Sequence, residues 1–226
     1  MSDSSTGDGY TGDVSVGGPI DIRELPGLTI AKVAVGGMSN NAYLLRDRAT
    51  SEALLIDAAN EANRLADFVR IGGDPVQTIV TTHQHPDHWQ ALAAMVAQTG
   101  ARTLAGVEDA SGIPVATDRL LQQGETVRLG ETELAIIVLR GHTPGSIALY
   151  YQDPAGIGHL FTGDALFPGG PGRTLNARDF NSLMDDLESR VFGRFDDSTW
   201  FYPGHGNDST VGAERPHLSE WRERGW

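Results

Sequence analysis

The chain has 226 residues, seven histidines and no cysteine, and its 30 Asp and Glu outnumber 17 Lys and Arg for a formal net charge of −13. That length suits one sizeable domain, which should bury roughly 70–75% of the surface its unfolded chain exposes and needs no staples. The lack of thiols excludes disulfides, cysteine-ligated metals and a thiol nucleophile, and acidity without any basic run argues against nucleic-acid binding.

Residues 1–18, MSDSSTGDGYTGDVSVGG, read as a disordered acidic tail ahead of a single domain over 19–226. The start has neither the basic stretch nor the apolar core of a signal peptide, and no run of about 18 apolar residues could span a membrane. A chain without cysteine suits a reducing cytoplasm. Nothing in the sequence sets an oligomeric state.

LTIAKVAVG (28–36), NAYLLRD (41–47) and EALLIDA (52–58) predict successive strands. Leu65, Phe68 and Val69 fall at helical spacing within 60–73, which a double glycine stops. QTIVTT (77–82) is a short β-branched strand that runs straight into THQHPDHW. Beyond it Trp89, Leu92, Ala93 and Val96 share one helical face, with Gly100 as the stop. Strands follow at 133–141, 146–151 and 158–164. A helix over 177–193 puts Phe180, Leu183, Leu187 and Val191 on one side, and a last strand covers 199–204. The C-terminal stretch, with Trp221, Trp226 and several arginines, is expected to pack over the fold as a short helix. Strand groups separated by a few helices imply an α/β sandwich in which helices cover stacked sheets.

The density of ligand-type side chains in residues 83–88 is the strongest functional signal. His83 and His85 are two apart, so an extended backbone points both the same way. Pro86 then turns the chain and sends Asp87 and His88 back toward them. His142 in RGHTPGS, Asp164 in FTGD and His205 in YPGHG each follow a predicted strand and sit beside glycine or proline, where a tight turn frees a side chain toward a cleft. Taken singly, a histidine beside glycine is an ordinary turn residue. Ligand types at four separate strand exits point to a metal centre. His159 and His217 lack that setting and are read as ordinary. Five imidazoles and two carboxylates exceed one tetrahedral ion and suit two divalent ions, zinc first, with iron or manganese also compatible.

THQHPDH, GHTPGS, FTGDALF and YPGHG, in that order, resemble the metal-binding motifs of the metallo-β-lactamase superfamily, and above all its glyoxalase II-like hydrolases. The resemblance spans about residues 28–212. It implies an αββα four-layer sandwich with the metals at one edge of the two sheets. It also implies that His83, His85 and His142 hold the first ion, that Asp87, His88 and His205 hold the second, and that Asp164 bridges them. Asp87 would orient an attacking hydroxide held by both ions. Thr82, Thr143 and Ser146 are candidates to partner the imidazole N–H groups from outside. Asp57 in LLIDA resembles a strand-end aspartate of the family that would brace the ligand loop, and Arg173 in LFPGGPGRT is a candidate for a substrate carboxylate.

The activity implied is hydrolysis of an S-acyl thioester of a small thiol. The alternatives are a persulfide dioxygenase with a single iron, a lactonase and, last, a non-catalytic metal-binding module. The partner expected is thus a small-molecule substrate, with neither nucleic acid nor a membrane. Only 21 residues follow His205 here, so the helical domain through which glyoxalase II contacts glutathione is not expected in this sequence.

Overall fold

The computed structural model describes residues 9–73 and 76–225. Seven strands lie side by side in chain order: β1 (Asp21–Glu24), β2 (Leu28–Val35), β3 (Asn40–Asp47), β4 (Ala53–Ile56), β5 (Val76–Thr81), β6 (Arg102–Gly106) and β7 (Arg119–Leu121). A second sheet has six strands. From one edge to the other they are β15 (Ser209–Thr210), β14 (Trp200–Pro203), β11 (Gly158–Gly163), β10 (Ile147–Gln152), β9 (Thr132–Val138) and β8 (Thr126–Leu129). A two-strand ribbon, β12 (Leu166–Phe167) and β13 (Gly170–Pro171), stands apart from both sheets.

Alternation along the strands builds the layers. On β2, Leu28 and Ile30 face the second sheet in a core shared with Tyr43, Leu149, Phe161 and Tyr202. Ala31, Val33 and Val35 face the other way, onto helices α1 (Ala62–Phe68) and α2 (Leu92–Thr99). The outer face of the second sheet is covered by α3 (Ala177–Leu187) and by the C-terminal α4 (Val211–Glu214) and α5 (Leu218–Arg224). The result is the expected four-layer αββα sandwich in one domain. Asn176 caps α3 by accepting from the Asp179 amide, and Phe180, Leu183, Met184 and Leu187 bury the inner stripe. Each such side chain contributes roughly 1.5–3 kcal/mol.

The structure departs from the sequence reading in three places. The helix expected to run to residue 193 ends at Leu187 and continues as a wide π turn over Glu188–Phe192. Strands β1, β6, β7 and β8 were not legible, since each has three to five residues and too few alternations to set a period. The tail expected over 1–18 is corrected from residue 9 onward. Tyr10 is only 2% exposed, its hydroxyl donates to Asp208, and Thr11 and Gly12 donate to the Asp21 carboxylate. One aromatic anchor outweighs the polar composition around it. Residues 1–8 lie outside the described residues.

The C-terminal segment packs as expected. Trp221 is 1% exposed against Phe192, and Arg222 pairs with Asp185 and Glu188. Trp226 lies outside the described residues. Among the described residues, no helix is long and apolar enough to cross a membrane. Parallel pairing of β4 with β5 and of β11 with β14 brings four C-terminal strand ends to one rim of the sandwich. In open α/β sheets that is where ligands collect.

Candidate metal centre

All seven sequence-predicted ligand residues meet at this rim. Beyond β5 the chain passes through His83 and His85 and reverses in a single 3-10 turn, Pro86–His88. His85 Nδ1 then lies 3.1 Å from His83 Nε2 and 2.9 Å from His142 Nε2, so three imidazole nitrogens face one another. Beside them, Asp87 Oδ2 lies 3.4 Å from both His88 Nε2 and His205 Nε2. Asp164 stands between the two groups. Its Oδ1 is 3.4 Å from His88 Nε2, and its Oδ2 is 3.7 Å from His142 Nε2 and 3.4 Å from His205 Nε2.

The far nitrogen of four rings is held in place from behind. His88 Nδ1 lies 2.8 Å from Asp57 Oδ2, His83 Nδ1 3.0 Å from Thr82 Oγ1, His142 Nδ1 2.7 Å from the Arg173 carbonyl, and His205 Nδ1 3.0 Å from the Met38 carbonyl. Such partners set ring orientation and tautomer in metal sites. Asp57 also accepts from the Thr82 amide and hydroxyl, both at 2.8 Å.

Thr143 and Ser146 do not reach an imidazole, which corrects that expectation. They bond to each other, and Thr143 donates to the fully buried Asp109. Asp109 also accepts from the Gln84 and Gly145 amides, at 3.0 and 2.7 Å. It therefore ties the His83–His85 loop to the His142 loop. Asp109 and Asn40 were missed from sequence. Asn40, 1% exposed at the start of β3, donates to Asp87 Oδ2 at 2.8 Å. The signal available for Asn40 was a polar pair, Asn40–Asn41, at the head of a strongly apolar strand. For Asp109 there was none, because the strands around it were unread. Arg173 places its carbonyl on His142 while its side chain is exposed, with no ion-pair partner among the described residues.

Burial holds the His83 ring well below its ordinary value, and the charge of His88 adds to the effect. Burial would lower His88 too, yet Asp57 and Asp164 on either side raise it to about 10. Burial alone would raise Asp164, but His88 and hydrogen bonding from His205 outweigh it and keep this carboxyl well below the usual range.

The donor set fits divalent cations. Three groups of side chains, His83 with His85 and His142, His83 with His88 and Asp164, and Asp87 with His88 and His205, each bring one ligand atom per residue to within 4.8 Å of the others. Asp164 Oδ1 is buried without a hydrogen-bond partner among the described residues, an oxygen that a bound cation would satisfy. The backbone is pared down to make the space. A Cβ on Gly204 would fall 2.1 Å from Asp164 Oδ1, and one on Gly172 would fall 1.7 Å from the Asp164 carbonyl oxygen.

The family description "Metallo-beta-lactamase superfamily" matches residues 35–205, a span that opens just before Asn40 and closes on His205. The chain belongs to the metallo-beta-lactamase superfamily. Within it, a hydroxyacylglutathione hydrolase from a Polaromonas species is 36% identical over 166 residues, 72% of this chain and 60% of that protein. This chain thus spans well under two thirds of that relative's length.

Solved structures of the superfamily align closely. They include ETHE1 from Myxococcus xanthus (29% identity, TM-score 0.74, covering 84% of this chain and 82% of that one). A di-iron-bound form of TTHA1623 follows (28% identity, TM-score 0.68, covering 81% and 96%). The B3 metallo-beta-lactamase BLEG-1 is also similar (26% identity, TM-score 0.72, covering 84% and 97%). Superfamily membership brings divalent-metal chemistry with it, in accord with the His and Asp groups at the rim.

Proposed function

We propose that the chain is a metal-dependent hydrolase of S-acyl thioesters of a small thiol, a glyoxalase II-like thioesterase acting in the cytoplasm. The carrying observation is the complete set of seven ligand-type side chains converging at one rim, with Asp164 in reach of both groups. Likeness to the Polaromonas hydroxyacylglutathione hydrolase supports the thioester class. The cytoplasm rests on a composition without cysteine.

In this reading His83, His85 and His142 hold one ion, Asp87, His88 and His205 the other, and Asp164 reaches both. Imidazole and carboxylate suit zinc first, with manganese and iron, the metal bound by the similar TTHA1623, also compatible. Divalent ions held there would supply Lewis-acid chemistry, lowering the pKa of a water toward about 7 and polarising an acyl carbonyl. Asp87, steadied by Asn40, accepts a proton or hydrogen bond from the attacking water and aims it. The leaving group needs little help, because a thiol of pKa about 8.5 departs as its thiolate. That accords with a rim where no separate general acid stands out among the described residues. Met38 and Leu175, 65% and 86% exposed, lie on the segments that hold His205 and His142 and offer apolar surface to an acyl chain.

The test is metal content by elemental mass spectrometry on protein purified without chelators, followed by a thioester and lactone panel. About two ions per chain with thioester turnover is the expected result. A single iron per chain, active on persulfides, would overturn the hydrolase in favour of oxygen-dependent oxidation, and turnover of lactones alone would make it a lactonase.

Arg173 is assigned to a carboxylate on the substrate. Arg173→Ala should raise KM about tenfold for acidic thioesters, the scale of one charge-assisted hydrogen bond, with kcat little changed. An equal effect on neutral thioesters would remove that role.

A further inference from the structure

We propose that a buried ion pair, Lys32–Asp208, closed off by Tyr10 from the N-terminal segment, is a positioning device for the His205 loop and sets the affinity of the second metal position. The proposal rests on the two-ion reading above. Lys32 lies on the inner face of β2, in line with Leu28 and Ile30, and is fully buried. Alternation gives that position an apolar residue by default, so an ammonium there has to be held by specific partners.

All three of its donors are used. They go to the Gly12 carbonyl at 2.6 Å, the Gly206 carbonyl at 2.9 Å and Asp208 Oδ1 at 2.7 Å. The other Asp208 oxygen accepts from the Tyr10 hydroxyl. Two of these three acceptors, Gly206 and Asp208, follow His205 by one and three residues, and the third belongs to the N-terminal segment.

The loop before His205 is held from the same side. Asn41 Nδ2 donates to the Pro203 and Gly206 carbonyls, both at 2.9 Å, the Asn41 amide donates to the Gly204 carbonyl at 2.7 Å, and Tyr43 donates to the Pro203 carbonyl at 2.6 Å. The His205 ring is backed at Nδ1 by the Met38 carbonyl, and Asn40 Nδ2 lies 3.4 Å from its Nε2. Its backbone is thus placed by polar side chains of β2 and β3 that lie inside the sandwich. The N-terminal segment is fitted closely to this pair. Gly12 has φ of 71°, and a Cβ there would stand 2.5 Å from Asp208 Oδ2. Residues 10–12 therefore act as a strap over the pair, and disturbing them shifts the His205 loop and the second ion's ligands.

The experiment titrates full-length, zinc-loaded protein against a chromogenic chelator. The step abolished in His205→Ala defines the second position. Lys32→Met combined with Asp208→Asn removes both charges together, so neither is left unpaired. Tyr10→Phe removes one oxygen and keeps the ring. The double variant should weaken the second step about 10- to 100-fold, the scale seen for outer partners of metal ligands, and Tyr10→Phe should weaken it by a smaller factor. The first step should keep its wild-type affinity in both. A purely structural role would instead lower the thermal midpoint of the chelated protein and leave both steps where they were, which would overturn the proposal. If the double variant does not fold, wild-type affinities in Tyr10→Phe overturn it equally. Uptake of only one ion by the wild-type protein would overturn the two-ion reading, and this proposal with it.

Discussion

Asp164→Ala should cost the protein both ions together and lower kcat/KM for a thioester on the order of 10³-fold, as losing about 4 kcal/mol of charge stabilisation does. Asp164 lies within 3.7 Å of ligand nitrogens from both groups, through His142 on one side and His88 and His205 on the other. Its Oδ1 is also buried without a hydrogen-bond partner among the described residues. Removing it takes away the carboxylate that stands between the two groups, whereas the three apolar clusters that build the sandwich are untouched, so the variant should still fold. Elemental mass spectrometry, thioester turnover and circular dichroism on one preparation check this. A folded variant with wild-type turnover would sink the two-ion assignment.

Asp57→Asn should have the next largest effect, a fall of about 10- to 100-fold in affinity at the second position, with turnover following occupancy. Asp57 adopts φ of 58°, a left-handed conformation that asparagine tolerates better than most residues, so the backbone survives the change. The Thr82 amide keeps an acceptor in the new side-chain oxygen. What disappears is the negative charge 2.8 Å from His88 Nδ1, and with it the partner that fixes which His88 nitrogen faces the ions. Chelator competition gives the affinity directly. Wild-type affinity at both positions would show that Asp57 braces only the turn.

These two variants differ in how visible their targets were. Asp164 was legible because it shares its signature with the histidines, a ligand-type residue beside glycine directly after an apolar run. Asp57 was legible only by resemblance. Asp109 was not legible at all, since its acceptor role joins segments 25 to 36 residues apart through loops whose strands carried no period. Tyr10 misled for the opposite reason. Its neighbours are polar and glycine-rich, and a single aromatic in such a stretch gives no periodic signal, yet its partner Asp208 lies 198 residues away.

The sequence by itself determined the element types over the long apolar runs, the layered α/β class and the seven side chains that gather at the rim. Those features are local: period, turn residues and ligand density are all written within a few positions of one another. The tertiary structure alone decided what stands behind the ligands. The Lys32–Asp208 pair, the Asn40 and Asn41 amides and the Asp109 link are contacts between residues from 25 to 176 positions apart. Which buried polar group meets which is set by the stacking and register of two sheets, and no local pattern encodes that pairing.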